Sequence, residues 1–376
     1  MTDWSKPFTV GFRAMRVSRK TGKETDSVWD LIAGGTITRN QDSSVTESGS
    51  ITVLKTAILG TDRVRVWADC EWEDGSKESV PLGTFMPNVP TRTIEAEDST
   101  SVIELYGLLQ EVADDQFETP YKVAKGTNAV DAAAKILRSC GMDVAPYNAG
   151  SFKLGEEHVY GLRSNDSDES DETKLDAVNA LLDLAGYCAA RTNPYGQVVL
   201  EKYVEPSQRS PAWTFSEGAN ATFLTSMSEE RNLRDVKNVV IVTYWNSDKE
   251  FVGVAIDDDP NSQYSTVSLG RRNAASYSYG AVPDDTTDAA AQKMANDKAK
   301  ELLRTNQSVI HRITFTHAYA PVNLMDSITF DYPTGGVSGR FSVRTQTITL
   351  DAGIPVECEA QVYERQIGRA SCRERV

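Results

Sequence analysis

Three histidines, His158, His311 and His317, are all the imidazole that 376 residues offer. His311 and His317 lie an even number of residues apart, so a strand would put both on one face. At roughly 3.3 Å per residue they would stand about 20 Å apart, too far to share one metal ion. Neither H-E-x-x-H nor G-x-S-x-G occurs. Cysteine nucleophiles need a positioned histidine, and Cys358 sits in an alternating strand pattern that reads as core. The other cysteines, Cys70, Cys140, Cys188 and Cys372, are scattered without C-x-x-C, which reads as reduced thiols in a protein made in a cytoplasm.

Two acidic runs invite a calcium reading. Asp166, Asp168 and Ser170 occupy ligand-like positions, but Asp171 stands where an EF-type loop needs glycine. Asp257, Asp259 and Asn261 repeat the pattern, with Ser262 at the glycine position and Ser268 where the bidentate glutamate belongs. Both runs are expected to be solvated acidic loops. Paired carboxylates carry no glycosidase signal in a chain this acidic. Trp67, Trp72, Trp213, Trp245, Tyr277 and Tyr279 could line a sugar platform, but such residues more often anchor cores and interfaces. No catalytic, cofactor-binding or metal-binding residue is expected, and no cofactor.

The formal net charge is -15 and the hydrophobic content 40%. That content is ample for two or more cores. The acidity argues against wrapping nucleic acid, which needs clustered Lys and Arg. The N-terminus carries no signal-peptide h-region, and no apolar run reaches bilayer length. A soluble protein, not secreted by the ordinary route, is expected.

The elements that would hold these residues fall into three blocks. Strand patterns at 8–17, 28–32, 36–38, 50–54, 63–71, 78–85, 94–97 and 101–107, with turns at Lys20-Thr21-Gly22-Lys23 and Glu73-Asp74-Gly75, suggest a small closed barrel or sandwich over residues 1–118. In the strand at 63–71, Val64, Val66 and Ala68 share one face; Arg63, Arg65 and Trp67 share the other. Residues 119–215 read as an α+β insert. It has a helix carrying Val130, Ala133, Ala134 and Leu137 and stopped at Gly141, then a second from Thr173 carrying Leu175, Val178, Leu182 and Ala185. A hairpin turns at 192–196. A second strand-rich block, 216–366, opens with 233–244 and continues with 251–256 and a strand at 264–269. A helix over 286–303 follows, started by Asp284-Asp285-Thr286-Thr287-Asp288, with Ala291, Met294, Ala295, Ala299, Leu302 and Leu303 at helical spacing. Strands at 309–318, 326–331, 340–350 and 355–363 close it.

That closing order resembles the second barrel of the phage tail-hub family, the baseplate or tail-tip hub proteins of tailed phages and prophages. The resemblance is carried by Arg234, Asp235 and Asn238 at its opening strand, the helix near 289–303, the 324–330 strand after a turn, and the final pair 341–349 and 356–363. It is one of order and spacing, over roughly the first 365 residues. The family has a Gly-Asp turn before the strand at Ile328; this chain carries Met325-Asp326 there, a departure in how that turn is built.

The resemblance implies a mainly-β α+β fold of two similar small barrels around an inserted α+β domain. It implies a homotrimer in the virion tail that closes the distal end of the tail tube and docks the distal tail protein, the tape-measure protein and the tip or receptor-binding proteins. Three chains with two similar units each match a sixfold tube above and a threefold tip below. DNA would slide past acidic walls without binding. Two other readings stand beside it: the hub part of a truncated tail-associated peptidoglycan endopeptidase, or a carbohydrate-binding surface protein of stacked β domains.

The last ten residues, 367–376, read differently. Ile367-Gly368-Arg369-Ala370-Ser371-Cys372-Arg373-Glu374-Arg375-Val376 back-translates to ATCGGAAGAGCGTCGTGTAGGGAAAGAGTG, a common sequencing-adapter string, and Gln366 as CAG supplies the preceding AG. The expectation is an open frame that ran off its contig, so that native sequence beyond Arg365 is missing.

Overall fold

The computed structural model describes residues 3–29, 32–53, 60–88, 101–161, 172–232, 236–245, 249–262, 264–281, 286–306 and 309–364. Contacts divide the chain into two compact units. The first is Met1–Met227 with Thr314–Ala360; the second is Ser228–Ile313 with Gln361–Val376.

The first unit opens with β1 (Phe8–Val17), β2 (Glu24–Trp29), β3 (Ile32–Asn40), β4 (Glu47–Val53), β5 (Arg63–Trp72), β6 (Lys77–Asn88) and β7 (Ser101–Gly107). β5 shows why. Val64, Val66, Ala68 and Cys70 alternate into a core with Phe12, Ile37, Ile51, Phe85 and Leu105. Its opposite face is not solvated: Arg63 and Arg65 are each 7% exposed. The expected strand at 94–97 lies outside the described residues.

Next come α1 (Gln110–Ala113), β8 (Tyr121–Val123), α2 (Ala129–Ser139), β9 (His158–Tyr160), α3 (Lys174–Leu184), β10 (Arg191–Thr192) and β11 (Val198–Val199). Both longer helices start on side-chain caps. Asn128 accepts from Val130 N and Asp131 N, and Thr173 forms a capping box with Asp176. Gly141 and Gly186 follow the helix ends at φ 77° and 70°, the left-handed conformation that terminates a helix. The apolar residues expected on one face of each helix are buried together with Leu108, Leu154, Tyr160 and Val198. α1 is an addition: one turn, seated by Val112.

The chain continues through β12 (Trp213–Ser216), β13 (Phe223–Asn232), β14 (Val239–Trp245), β15 (Glu250–Ile256), α4 (Thr266–Leu269), β16 (Ala274–Ala281), α5 (Asp288–Asn306), β17 (Val309–His317), β18 (Ser327–Tyr332), β19 (Val337–Thr349) and β20 (Val356–Glu364). One 13-stranded sheet runs β13-β17-β20-β19-β3-β4-β7-β6-β5-β1-β2, with β12 parallel to β18 beside β19. The fold is thus mainly-β α+β. The N-terminal and C-terminal strands share a sheet through the antiparallel pair β3–β19, Thr36 opposite Thr349 to Asn40 opposite Thr345. Among the described residues no pair closes this path into a ring.

Three readings are corrected. The residues 264–269 form no strand. Ser265 Oγ accepts from Ser268 N and caps the single turn α4, which Gly270 ends at φ 63°; that local hydrogen bond overrides the strand propensity of Thr and Val. The opening strand of the second block shares no sheet with the closing strands: β14 lies between antiparallel β15 and parallel β16 in a separate three-stranded sheet. α5 covers one face of it, Val240, Val242 and Ala255 meeting Ala299 and Leu303, and Phe251 meeting Ala291 and Ala295. The Met325-Asp326 turn is built as a glycine turn would be, with Met325 at φ 66°.

Candidate functional site

The residues singled out for chemistry serve the fold. His311 and His317 share the buried face of β17 with Ile313 and Phe315, as their even spacing requires. His311 Nε2 lies 2.8 Å from Glu229 Oε1. His317 Nδ1 lies 2.6 Å from the Ala318 carbonyl oxygen, against Phe215 and Phe315. Burial drives the His317 pKa down to about 4, against the backbone hydrogen bond. His158 stacks on Tyr160 in β9. Cys358 is 1% exposed, and burial pushes its thiol far up. It is an inert core thiol.

The acidic run 166–171 lies outside the described residues. In the other run each carboxylate serves its own loop. Asp259 Oδ1 accepts from Asn261 N at 2.8 Å. Asp257 Oδ2 accepts from Ser262 Oγ at 2.5 Å, and Ser268 Oγ donates to the Ser262 carbonyl at 2.6 Å. Among the described residues no group of three or more His, Cys, Asp or Glu is placed to hold a metal ion. The aromatic residues are dispersed. Trp72 packs on Trp4 and Phe8. Trp67, five positions away and so on the opposite face, carries Arg13 over its ring at 5.3 Å. Tyr277 and Tyr279 pack toward α5, while Trp245 is 40% exposed.

Asn238 holds a junction. It is fully buried; its Oδ1 accepts from Asn273 N at 2.7 Å, and its Nδ2 donates to the carbonyls of Arg271 at 2.9 Å and Tyr264 at 3.2 Å. The Asn of the resemblance therefore clasps the loop between β15 and β16. Arg234 and Asp235 lie outside the described residues.

What the sequence did not mark is a charged seam in the first unit. Arg63 forks onto Glu111, Nη2 to Oε2 at 3.0 Å and Nε to Oε1 at 3.3 Å. Arg65 donates to Tyr195 O at 2.8 Å and to Glu24 Oε1 at 2.7 Å. Thr84 Oγ1 donates to Pro194 O at 2.9 Å, and Thr192 Oγ1 to Glu47 Oε2 at 2.8 Å. These bonds fasten the 191–199 hairpin and α1 to the β3–β7 strands. Beside them opens a cavity of about 190 Å³ lined by Arg39, Glu47, Arg191, Thr192 and Asp326. Burial raises the Glu47 pKa to about 7, with Arg39, Thr192 and Arg191 pulling the other way. Burial likewise raises Asp326. No signal for it stands in the sequence: Arg39 and Glu47 lie outside the strand patterns at 36–38 and 50–54, and only the longer β3 and β4 turn them inward, where a charge needs a partner. Nothing here resembles a nucleophile with its base.

No family model matches the chain, and no curated protein matches it in sequence. Solved structures do match. The tail protein from Neisseria meningitidis MC58 superposes with a TM-score of 0.61 at 15% identity, covering 96% of this chain and 98% of that one. The 43 kDa tail protein of prophage MuSo2 from Shewanella oneidensis gives 0.58 at 10% identity, covering 94% and 98%. A chain of the Francisella PdpA-VgrG complex gives 0.56 at 8% identity, and this chain spans 58% of its length. From end to end, this protein has the fold of phage and prophage tail proteins.

Proposed function

We propose that the chain is a structural hub protein at the distal end of a phage tail, in the tip or baseplate. It would work as a homotrimer that caps the tube, docks the distal tail and tape-measure proteins, and carries the receptor-binding apparatus. The observation that carries this reading is the length of the match: two tail proteins are covered to 98% of their own chains. Covering nearly the whole of a tail protein fits a structural role better than an enzyme domain or a sugar-binding module. The dispersal of Trp67, Trp72, Trp213 and Trp245 gives the sugar-binding reading no support.

In this reading residues 1–118 and 216–366 supply two barrel-type units around the 119–215 insert, so that three copies present six similar units to the tube. A net charge of -15 suits a channel that passes DNA without holding it.

Light scattering of the purified chain at several concentrations tests it. The expected mass is three times 41.3 kDa. Gold-labelled antibody on virions should mark the tail end away from the head. Label along the tube or on the capsid would overturn the proposal.

A further inference from the structure

Glu47 is a buried carboxylate with few donors. It lies on β4, 3% exposed, opposite Arg39 in the β3–β4 ladder. Yet the Arg39 guanidinium turns elsewhere. Its Nη2 donates to Leu82 O at 2.5 Å and its Nη1 to Gln346 Oε1 at 3.4 Å, while its Nε stays 3.9 Å from Glu47 Oε1. The hydrogen bond that Glu47 makes comes from Thr192 on the far side of the seam. An ionised carboxylate out of water needs several donors, and one hydroxyl does not offset its desolvation.

The remaining charges around it bond elsewhere, although Arg191 Nη1 is buried without a hydrogen-bond partner. Arg191, on β10, gives Nη2 to Glu201 Oε1 at 2.7 Å, and Arg209 reaches the same oxygen at 3.3 Å. Asp326, in the turn before β18, accepts from Asn323 N at 2.8 Å. Arg344 on β19 pairs with Asp42. The cavity beside Glu47 gives the hairpin room to shift.

We propose that Glu47 is a proton-operated latch for the β10–β11 hairpin. Protonated, it carries no charge and tolerates burial, and the hairpin stays seated on β3 and β4. Ionised, it keeps the bond from Thr192 but also draws Arg39 and water toward itself, and the hairpin that shuts water out loosens. The raised pKa, about 7 against 4.5 in the free side chain, fits this direction. The folded chain then keeps a proton that the unfolded chain gives up. The stability drawn from the latch is complete below pH 4.5 and is lost as pH rises through 7. The proposal does not depend on the tail assignment.

Hydrogen–deuterium exchange of the full chain tests it, read on peptides covering 187–200 and corrected for the intrinsic effect of pH. From pH 6 to pH 8 the hairpin should open about tenfold more often, one decade for the pH unit between 6 and the transition at about 7, above which opening levels off. Glu47→Gln should abolish that dependence. Thr192→Val removes a donor that favours the charged form, so the rise in exchange should move to higher pH. Equal corrected exchange at the two pH values in the wild-type chain overturns the latch, whether or not the glutamine variant folds. So does a pH response that survives in a folded Glu47→Gln protein.

Discussion

The carbonyl oxygen of Met325 accepts a hydrogen bond from Arg209 Nη1 at 3.1 Å, from a backbone held at φ 66°. A side chain in that conformation costs about 1 kcal/mol relative to glycine. The Met325 side chain is 3% exposed, with Sδ 3.1 Å from Arg344 Nη1. Losing a buried Met costs about 2 kcal/mol or more, so burial outweighs strain. Met325→Gly should destabilise by about 1–2 kcal/mol, and Met325→Ala by more, because alanine keeps the strain and loses the packing. Urea unfolding of the three proteins gives the order; an alanine variant more stable than the glycine variant would falsify this account.

His317 predicts an acid-labile first unit. The unfolded chain binds the imidazole proton near pH 6.5, whereas the folded chain resists it until about 4. No stability is lost above pH 6.5. Between 6.5 and 4 the loss grows to about 3 kcal/mol, at about 1.4 kcal/mol for each pH unit crossed. His317→Phe, between Phe215 and Phe315, should flatten that limb while costing about 1 kcal/mol at pH 7 for the bond to Ala318 O. Thermal melts from pH 4 to pH 8 compare the two slopes.

Gly253 is required by contact. A Cβ there would lie 2.1 Å from Ala295 O and 2.2 Å from its carbonyl carbon, both backbone atoms of α5. The helix cannot stay where it is. Gly253→Ala should cost about 3 kcal/mol, the upper end of overpacking effects. The readout is early loss of protection in α5 by hydrogen exchange. A variant as stable as wild type would place the helix further from β15.

Arg63 and Glu111 are 9% and 7% exposed at their side chains. Arg63→Met leaves Glu111 with Arg19, 2.7 Å away and nearly half exposed. The cost should be about 3 kcal/mol, at the low end for breaking a buried pair. Arg63→Lys should cost less but still lose the two-pronged fit. Denaturant midpoints at constant m-value would show this.

Much of the fold was readable because local and tertiary signals agreed. The pattern at 8–17 gave β1 as it stands; the helix carrying Val130 to Leu137, the one from Thr173 and the one over 286–303 are present as Ala129–Ser139, Lys174–Leu184 and Asp288–Asn306, the first two with side-chain caps. β13 escaped because Leu-Thr-Ser-Met-Ser-Glu-Glu-Arg lacks alternation; most of its residues are exposed and it lies at the end of the sheet. Its pairing is set by β17, not by its own composition. The charged seam was hidden for another reason. Nothing local marks the face of Arg63 and Arg65 as covered: α1 meets Arg63, and the hairpin that meets Arg65 lies 130 residues downstream. The burial of Glu47 was not legible, because its hydrogen bond comes from Thr192, 145 residues away.

β13 and β17 are neighbours in the sheet, and Glu229 on one lies against His311 on the other. The polypeptide therefore leaves for the second unit and comes back at almost the same point. A segment spliced in at such a doorway can lengthen, shrink or be exchanged while the strands on either side keep their register. Residues 230–311 therefore begin and finish on neighbouring strands, and a change of length between them leaves the β13–β17 pairing untouched.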